Sequence, residues 1–243
     1  MKYKKINSAF ILGSTSEIAK AICIELAKQG CKKFVLIARN KSKNNIFAQE
    51  LIEKFNVEVT TKELDLLQIE KKYDQFVINN CDLYLLATGY LGSYKKNIID
   101  KNEAINIYTA NYTGVILMIL KIISCLENNS QKKIWVLSSV ASDKGRPSNY
   151  QYGAAKAALN TFCEGLFYLN MNKKLSIRVI KAGFVGTTKT LKIAPRFLCI
   201  SPQKFARKLL ENTEKKGIEY LPRWWYMIMK FVKILPDAFI SKL

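Results

Sequence analysis

The sequence predicts a doubly wound α/β domain, a parallel sheet with helices covering both faces. The strand candidates are short and apolar throughout, as strands buried on both faces must be. Segments with apolar residues at helical spacing separate them, and glycine or turn residues mark the junctions. At 243 residues, 49% apolar and 24% charged, the chain has the size and composition for one such core, which excludes a wholly disordered protein.

The alternation runs in order along the chain. Ala9 to Leu12 is a continuous apolar run ending in Gly13-Ser14-Thr15-Ser16, a strand feeding a tight loop. Ile18, Ala19, Ile22, Cys23, Leu26 and Ala27 then recur at helical spacing, predicting a helix over Glu17 to Gln29 that stops at Gly30. Next come a strand at Phe34 to Ala38, a helix over Lys43 to Phe55, a strand at Val57 to Thr61, a helix over Gln68 to Val77 and a strand at Leu83 to Ala87. A long helix is expected within Ile99 to Leu126, then a strand at Ile134 to Leu137, a helix over Tyr152 to Leu169 and a strand at Ile177 to Ile180. Gly183 to Ile200 breaks the pattern with Gly186, Thr187, Thr188 and Pro195, and reads either as a mobile lid or as a surface meander. The domain is expected to span residues 1–221, with 222–243 as an amphipathic C-terminal tail.

Composition narrows the chemistry. The chain has no His, which removes His-dependent zinc sites and His-based triads. Cys23, Cys31, Cys81, Cys125, Cys163 and Cys199 include no Cys-x-x-Cys pair, so no metal site and no disulfide framework is expected, and reduced thiols in a cytoplasmic protein fit best. The net charge of +20 attracts polyanions, anionic cofactors or anionic lipid head groups without choosing among them. No recognition motif accompanies it, so a nucleic-acid partner is not expected. The basic segment Met1 to Asn7 precedes too short an apolar run for a signal peptide, and no stretch approaches the roughly 20 apolar residues that cross a bilayer.

The residues that carry chemistry sit at the ends of strands. The loop Gly13-Ser14-Thr15-Ser16-Glu17-Ile18-Ala19 joins a strand to a helix N-terminus, the arrangement that holds a dinucleotide pyrophosphate. Tyr152 and Lys156 are four residues apart on one helix face. An ammonium beside a phenol favours the phenolate and is expected to lower the Tyr152 pKa, suiting it to exchange a proton with a carbonyl or alcohol. Ser138 and Ser139 end an apolar strand upstream, at the sheet edge where such folds bind ligands, and Asn111 lies in a helical stretch before them.

The Gly-led loop, Asn111, Ser139, Tyr152 and Lys156, in that order, resemble the short-chain dehydrogenase/reductase family over about residues 8 to 222. The resemblance implies a Rossmann-like fold and a hydride-transfer enzyme with a nicotinamide cofactor. It makes Tyr152 the proton donor to the substrate oxygen, Ser139 the hydrogen-bond donor that fixes that oxygen, Lys156 the holder of the nicotinamide ribose, and Asn111 the residue that orders a relay water. Cofactor contacts are implied for Gly13, Ser14, Thr15, Ser16 and Ile18, for Arg39, Asp65, Ala87 and Gly89, for Tyr152 and Lys156, and for Gly183, Val185 and Thr187. Two departures stand out. Glu17 and Ala19 occupy positions where the family commonly has Gly, and Leu86-Ala87-Thr88-Gly89 lacks the family's Asn after strand four. A carboxylate near a pyrophosphate is unfavourable unless it points away. Asp65 reads equally as a helix N-cap. Ala38-Arg39-Asn40 offers an arginine and no acid at the end of strand two, so NADP(H) is expected over NAD(H).

The tail from Tyr220 places Trp224, Trp225, Tyr226 and Phe231 beside Arg223, Lys230 and Lys233, a composition for peripheral membrane contact through 223–235 at the inner face of the membrane, or for a packed C-terminal helix. This tail and the run Ser14 to Ile18 also resemble reductases of polyprenyl-phosphate-linked keto-pentoses in bacterial envelope synthesis. The expected activity is therefore reduction of a ketone by NADPH, the ketone being a lipid-linked sugar, another small ketone or a 3-oxoacyl group. A non-catalytic NADP-sensing protein is the alternative from a different class. A homodimer or homotetramer is implied by the resemblance.

Overall fold

The computed structural model describes residues 5–92, 100–126, 131–170 and 175–241. Met1 to Lys4 of the basic N-terminus, Ile99 at the start of the expected long helix, and the last two residues of the tail lie outside the described residues. Seven parallel strands form one sheet: β1 (Ser8–Leu12), β2 (Lys33–Ala38), β3 (Glu58–Glu63), β4 (Leu83–Leu86), β5 (Lys132–Ser139), β6 (Leu175–Ala182) and β7 (Gly217–Leu221), in the spatial order β3-β2-β1-β4-β5-β6-β7. The order reverses between β1 and β4, so the crevice at their carboxyl ends is where such a sheet binds a ligand.

Strand residues alternate between two cores, as period-2 geometry requires. Ile11, Leu36 and Trp135 face helices α1 (Glu17–Lys28), α2 (Lys41–Phe55) and α7 (Pro202–Leu210) through Ile22, Leu26, Phe47, Phe205 and Leu209. Phe10, Tyr84 and Val136 face α5 (Gly114–Ser124) and α6 (Tyr150–Leu169) through Met118, Ile119, Leu159 and Cys163. With both faces covered, the central strands β1 and β4 are apolar on both sides, whereas the edge strand β3 keeps the polar, half-exposed pattern Glu58 to Glu63.

The predicted helix over Gln68 to Val77 is a correction. The chain forms a 3₁₀ turn at Leu66–Gln68 and only a short α3 (Ile69–Lys72), because Ile69 is the one buried anchor there and Val77 is left exposed. The expected long helix is continuous but uneven: α4 (Lys101–Tyr108), a π-helical turn at Thr109–Thr113, then α5. It is the helix among the described residues long and apolar enough to cross a membrane, yet it buries Val115, Met118, Ile119 and Ile122 in the core with the sheet, and Ile107 is buried in α4, as in a core helix.

Two elements were not anticipated. Ser201 caps α7 by accepting the Lys204 N–H, with Pro202 in the first turn, and Phe205, Ala206, Leu209 and Leu210 form its buried stripe. β7 then pairs with β6 over Gly217 to Leu221. The tail follows as α8 (Trp225–Ile234) and α9 (Asp237–Ile240).

Candidate active site

Every expected site residue lies at the carboxyl edge of the sheet or on an element that begins there. Gly13 leaves β1 at φ +83° and its N–H, with that of Ser14, bonds the Ile37 carbonyl. A Cβ at Gly13 would stand 2.9 Å from the Ala87 carbonyl oxygen, so only glycine lets the loop pass the end of β4. Ser14 is fully buried and donates its hydroxyl to the Ile37 carbonyl at 3.1 Å and to Asn44 Oδ1 at 2.6 Å, while Asn44 Nδ2 donates to the Leu36 carbonyl. Ser14 therefore shapes the loop from inside, and Asn44, which sequence reasoning missed, ties it to β2 and α2. Ser16 is the N-cap of α1, accepting the Ala19 N–H. The loop fits a dinucleotide in two respects: its glycine is forced to positive φ beside the end of β4, and it feeds the N-terminus of α1, where helix N–H groups can meet a pyrophosphate.

Arg39 is exposed just beyond β2, beside Lys41 and Lys43 at the start of α2, and forms no ion pair among the described residues. Asp65 accepts the Leu67 N–H as the cap of the 3₁₀ turn, the second of its two readings. Ala87 is held by its N–H on the Leu12 carbonyl. The buried Thr88 hydroxyl beside it has no partner among the described residues.

Asn111 sits in the π-helical turn, a distortion common at functional sites. Its Nδ2 donates to the Ile107 and Tyr90 carbonyls, both at 2.7 Å, and its Oδ1 accepts the Tyr90 N–H at 3.1 Å. Both amide N–H groups are spent, and the carboxamide clamps the loop after β4 beside Gly89. Tyr90 donates its hydroxyl to Glu103, pinning that loop to α4.

Ser139 ends β5, accepts the Ala141 N–H, and lies close enough to Tyr152 for its hydroxyl to lower the phenol's pKa. Burial holds the Tyr152 phenol above its ordinary range, and the Ser139 contact offsets this only in part. The expected lowering by Lys156 is corrected: the ammonium lies 5.9 Å from the Tyr152 ring centre and points to the carbonyls of Thr88 at 3.1 Å and Leu137 at 3.0 Å. Lys156 is 1% exposed, and burial pushes its pKa down to about 8. An ammonium has three donors, so one N–H remains for a ligand.

Beyond β6, Val185 bridges to Ile200, and the Thr187 hydroxyl caps its own turn by accepting the Thr190 N–H. The ideal Cβ of Gly183 would fall 1.9 Å from Trp225 Nε1, so this glycine admits the tail's indole against the sheet edge. Trp225, 3% exposed, packs with Val140 and Met229, flanked by Phe184 and Leu198, and its Nε1 has no partner among the described residues. Asp143 anchors the same corner, accepting the hydroxyl of Tyr220 and the ammonium of Lys181, with Lys233 of α8 at 3.9 Å. The tail helix is thus a wall of the site, one residue from Ser139. Sequence reasoning weighed packing for it but did not see which residues it meets.

A doubly wound sheet with a glycine cradle at its switch point and a Ser–Tyr–Lys cluster on the same edge defines a dinucleotide-dependent oxidoreductase. Residues 7–196 match the short chain dehydrogenase family, and the chain belongs to it. The oxidoreductase of the mprA 5′ region of Streptomyces coelicolor is 27% identical over 242 residues, 97% of this chain and 95% of that protein. The very-long-chain 3-oxoacyl-CoA reductase of Anas platyrhynchos is 28% identical over 210 residues, 82% of this chain and 66% of that protein. A 7beta-hydroxysteroid dehydrogenase structure superposes with TM-score 0.82 at 19% identity, covering 98% of this chain and 96% of its own.

Proposed function

We propose that the protein is a ketone reductase that uses NADPH and takes its ketone on a lipophilic, phosphate-bearing carrier. The observation that carries the reaction is the Ser139–Tyr152 contact beside the buried Lys156. A phenol raised by burial stays protonated at neutral pH, which is the state a proton donor in ketone reduction needs. With Ser139 beside Tyr152, both hydroxyls can donate to one carbonyl oxygen; Ser139 polarises it and Tyr152 hands over its proton as the oxygen becomes an alkoxide. NADPH supplies the hydride to the carbonyl carbon when bound. Lys156 uses its remaining N–H for a ribose hydroxyl, while Asn111 holds the neighbouring loop in place. Arg39, with Lys41 and Lys43, supplies positive charge for a 2′-phosphate.

The carrier is read from the rim of the site. The stretches 183–200 and 223–241 contain Lys189, Lys192, Arg196, Arg223, Lys230 and Lys233 against one acid, Asp237. They also expose Ile193, Phe197 (84%), Met227, Phe231 and Ile234 (77%), and Leu198 packs on the tail, joining the two stretches into one surface. That combination suits peripheral contact with an anionic membrane and a substrate pairing an apolar chain with phosphate. Two carriers share this chemistry: the polyprenyl-phosphate-linked keto-pentose of the motif resemblance, and a 3-oxoacyl-CoA, the substrate named for the Anas platyrhynchos relative. Self-association through the apolar residues that α4 and α5 leave exposed, Ile105, Tyr108 and Leu120, completes the proposal.

The test is NADPH oxidation against a lipid-linked keto-sugar, 3-oxoacyl thioesters and soluble ketones. Turnover of a carrier-borne ketone at least tenfold better than its carrier-free analogue is expected. NADPH binding without turnover of any ketone would favour the cofactor-sensing alternative. Membrane contact is checked by cosedimentation with anionic vesicles. Met227→Glu and Phe231→Glu, on the exposed face, should reduce it, whereas deleting the tail would also strip Trp225 and Met229 from the core.

A further inference from the structure

We infer that Glu17 is a positioning residue, a latch that holds the segment after β6 closed beside the nucleotide loop. Glu17 opens α1 at a position where the family commonly has glycine. Its side chain meets a segment distant in sequence: both carboxylate oxygens accept the Thr188 N–H, at 3.0 and 3.2 Å, over a separation of 171 residues.

The surroundings give this contact its meaning. The base of the segment is clipped by backbone bonds, Gly186 N–H to the Ile200 carbonyl at 2.8 Å and Ile200 N–H to the Phe184 carbonyl at 2.9 Å. Within it, Thr187, Thr190, Pro195 and Cys199 bond one another. Among the described residues, the Glu17 bond is the hydrogen bond that joins the interior of the segment, Thr187 to Cys199, to the nucleotide-binding half. Thr188 follows Thr187, so a latch at one fixes the other against the site. The bond also answers the electrostatic problem of a carboxylate beside a pyrophosphate site. Committed to Thr188, the Glu17 charge is turned from the cradle and offset by a backbone donor.

The segment reports its own state, because Lys189, Lys192 and Arg196 are exposed trypsin sites next to the latch. Limited proteolysis of the full chain with bound NADPH, combined with hydrogen exchange, tests the inference. Glu17→Ala should speed cleavage at Lys189 to Arg196 about fivefold and remove exchange protection at Thr188. Glu17→Gln, which keeps an acceptor of the same reach, should stay within about twofold of wild type on both. A positioning role also predicts a KM-against-kcat split: in Glu17→Ala the ketone KM rises about fivefold while kcat stays within about twofold. Equal behaviour of the Ala and Gln variants, or no change in Ala, would overturn the latch. So would loss of exchange protection throughout α1 and the sheet, since that would make Glu17 a residue of the general fold. The proteolysis arm needs no ketone, so a failure of the latch and a failure of the reductase reading are separately visible.

Discussion

The two halves of the site are built in different ways. On the nucleotide side, Gly13, Ser14 and Asn44 bond the adjoining strand or one another, with at most about thirty residues between partners. On the substrate side, Trp225 meets Gly183 and Val140, and Lys233 reaches Asp143, so the wall exists only once the end of the chain has returned to the sheet. The first half is an assembly of neighbours with fixed chemistry. The second is a docking of distant segments, the kind of construction by which one scaffold can carry different sites.

The comparison breaks most sharply at the shared centre. Tyr152→Phe keeps the ring and its packing but removes the proton, so both halves should remain intact while turnover falls about 10²–10⁴-fold, the usual contribution of a positioned proton donor. NADPH binding followed by fluorescence titration should be nearly unchanged. Retention of more than about a tenth of the wild-type rate would mean another group protonates the product.

A change confined to the nucleotide half should leave the ketone untouched. Arg39→Asp deletes a charge-assisted partner, worth about 1.5–3 kcal/mol, and puts a repelling carboxylate in its place. The ratio of kcat/KM for NADPH to that for NADH should fall at least about tenfold with the ketone KM steady. An unchanged ratio would place the 2′-phosphate elsewhere.

Gly183→Ala is the converse. The new methyl collides with a rigid indole, and overpacking of this kind costs about 1–3 kcal/mol. The Tm should drop by a few degrees and the ketone KM rise severalfold, while the NADPH-to-NADH ratio stays fixed. Adding Trp225→Leu should recover part of the loss, because the two changes share one contact. Full additivity of the two would mean the indole moves aside freely and the wall is soft.

Much of the nucleotide half was legible because its signals are local. A strand, a glycine and a capping serine occur within a few residues, and Tyr152 and Lys156 share a helical turn. Ser14 was legible as a loop residue but not as a buried one, since its partner Asn44 carries no pattern of its own. α7 was written in the sequence as a Ser-Pro start and an apolar stripe, and β7 as Ile218 and Tyr220 alternating with Glu219 and Leu221, but Tyr220 was absorbed into the aromatic tail. The meetings of Trp225 with Gly183 and of Glu17 with Thr188 depend on folding back across the whole chain, and no spacing encodes them. The direction of the Tyr152 pKa was misread for a related reason. The pair spacing shows that an ammonium is near, while burial and the two carbonyls that hold the ammonium decide the outcome.

A further effect follows from that last point and needs only wild-type protein. Lys156 is held at a pKa of about 8 because burial opposes its charged form. Below that value it is an ammonium able to bind a ribose hydroxyl; above it the neutral amine does so less well. The profile of kcat/KM for NADPH reports the free enzyme, so it should bend near pH 8 and fall about tenfold per unit beyond. The phenol cannot cause this bend, because burial moves its ionisation above the ordinary range, further from pH 8. In kcat the bend should move upward, since a bound dinucleotide brings negative phosphates that favour the ammonium. A bend at the same pH in both profiles would separate Lys156 from the cofactor, and a flat kcat/KM up to pH 10 would mean its charge does not matter to the step the cofactor enters.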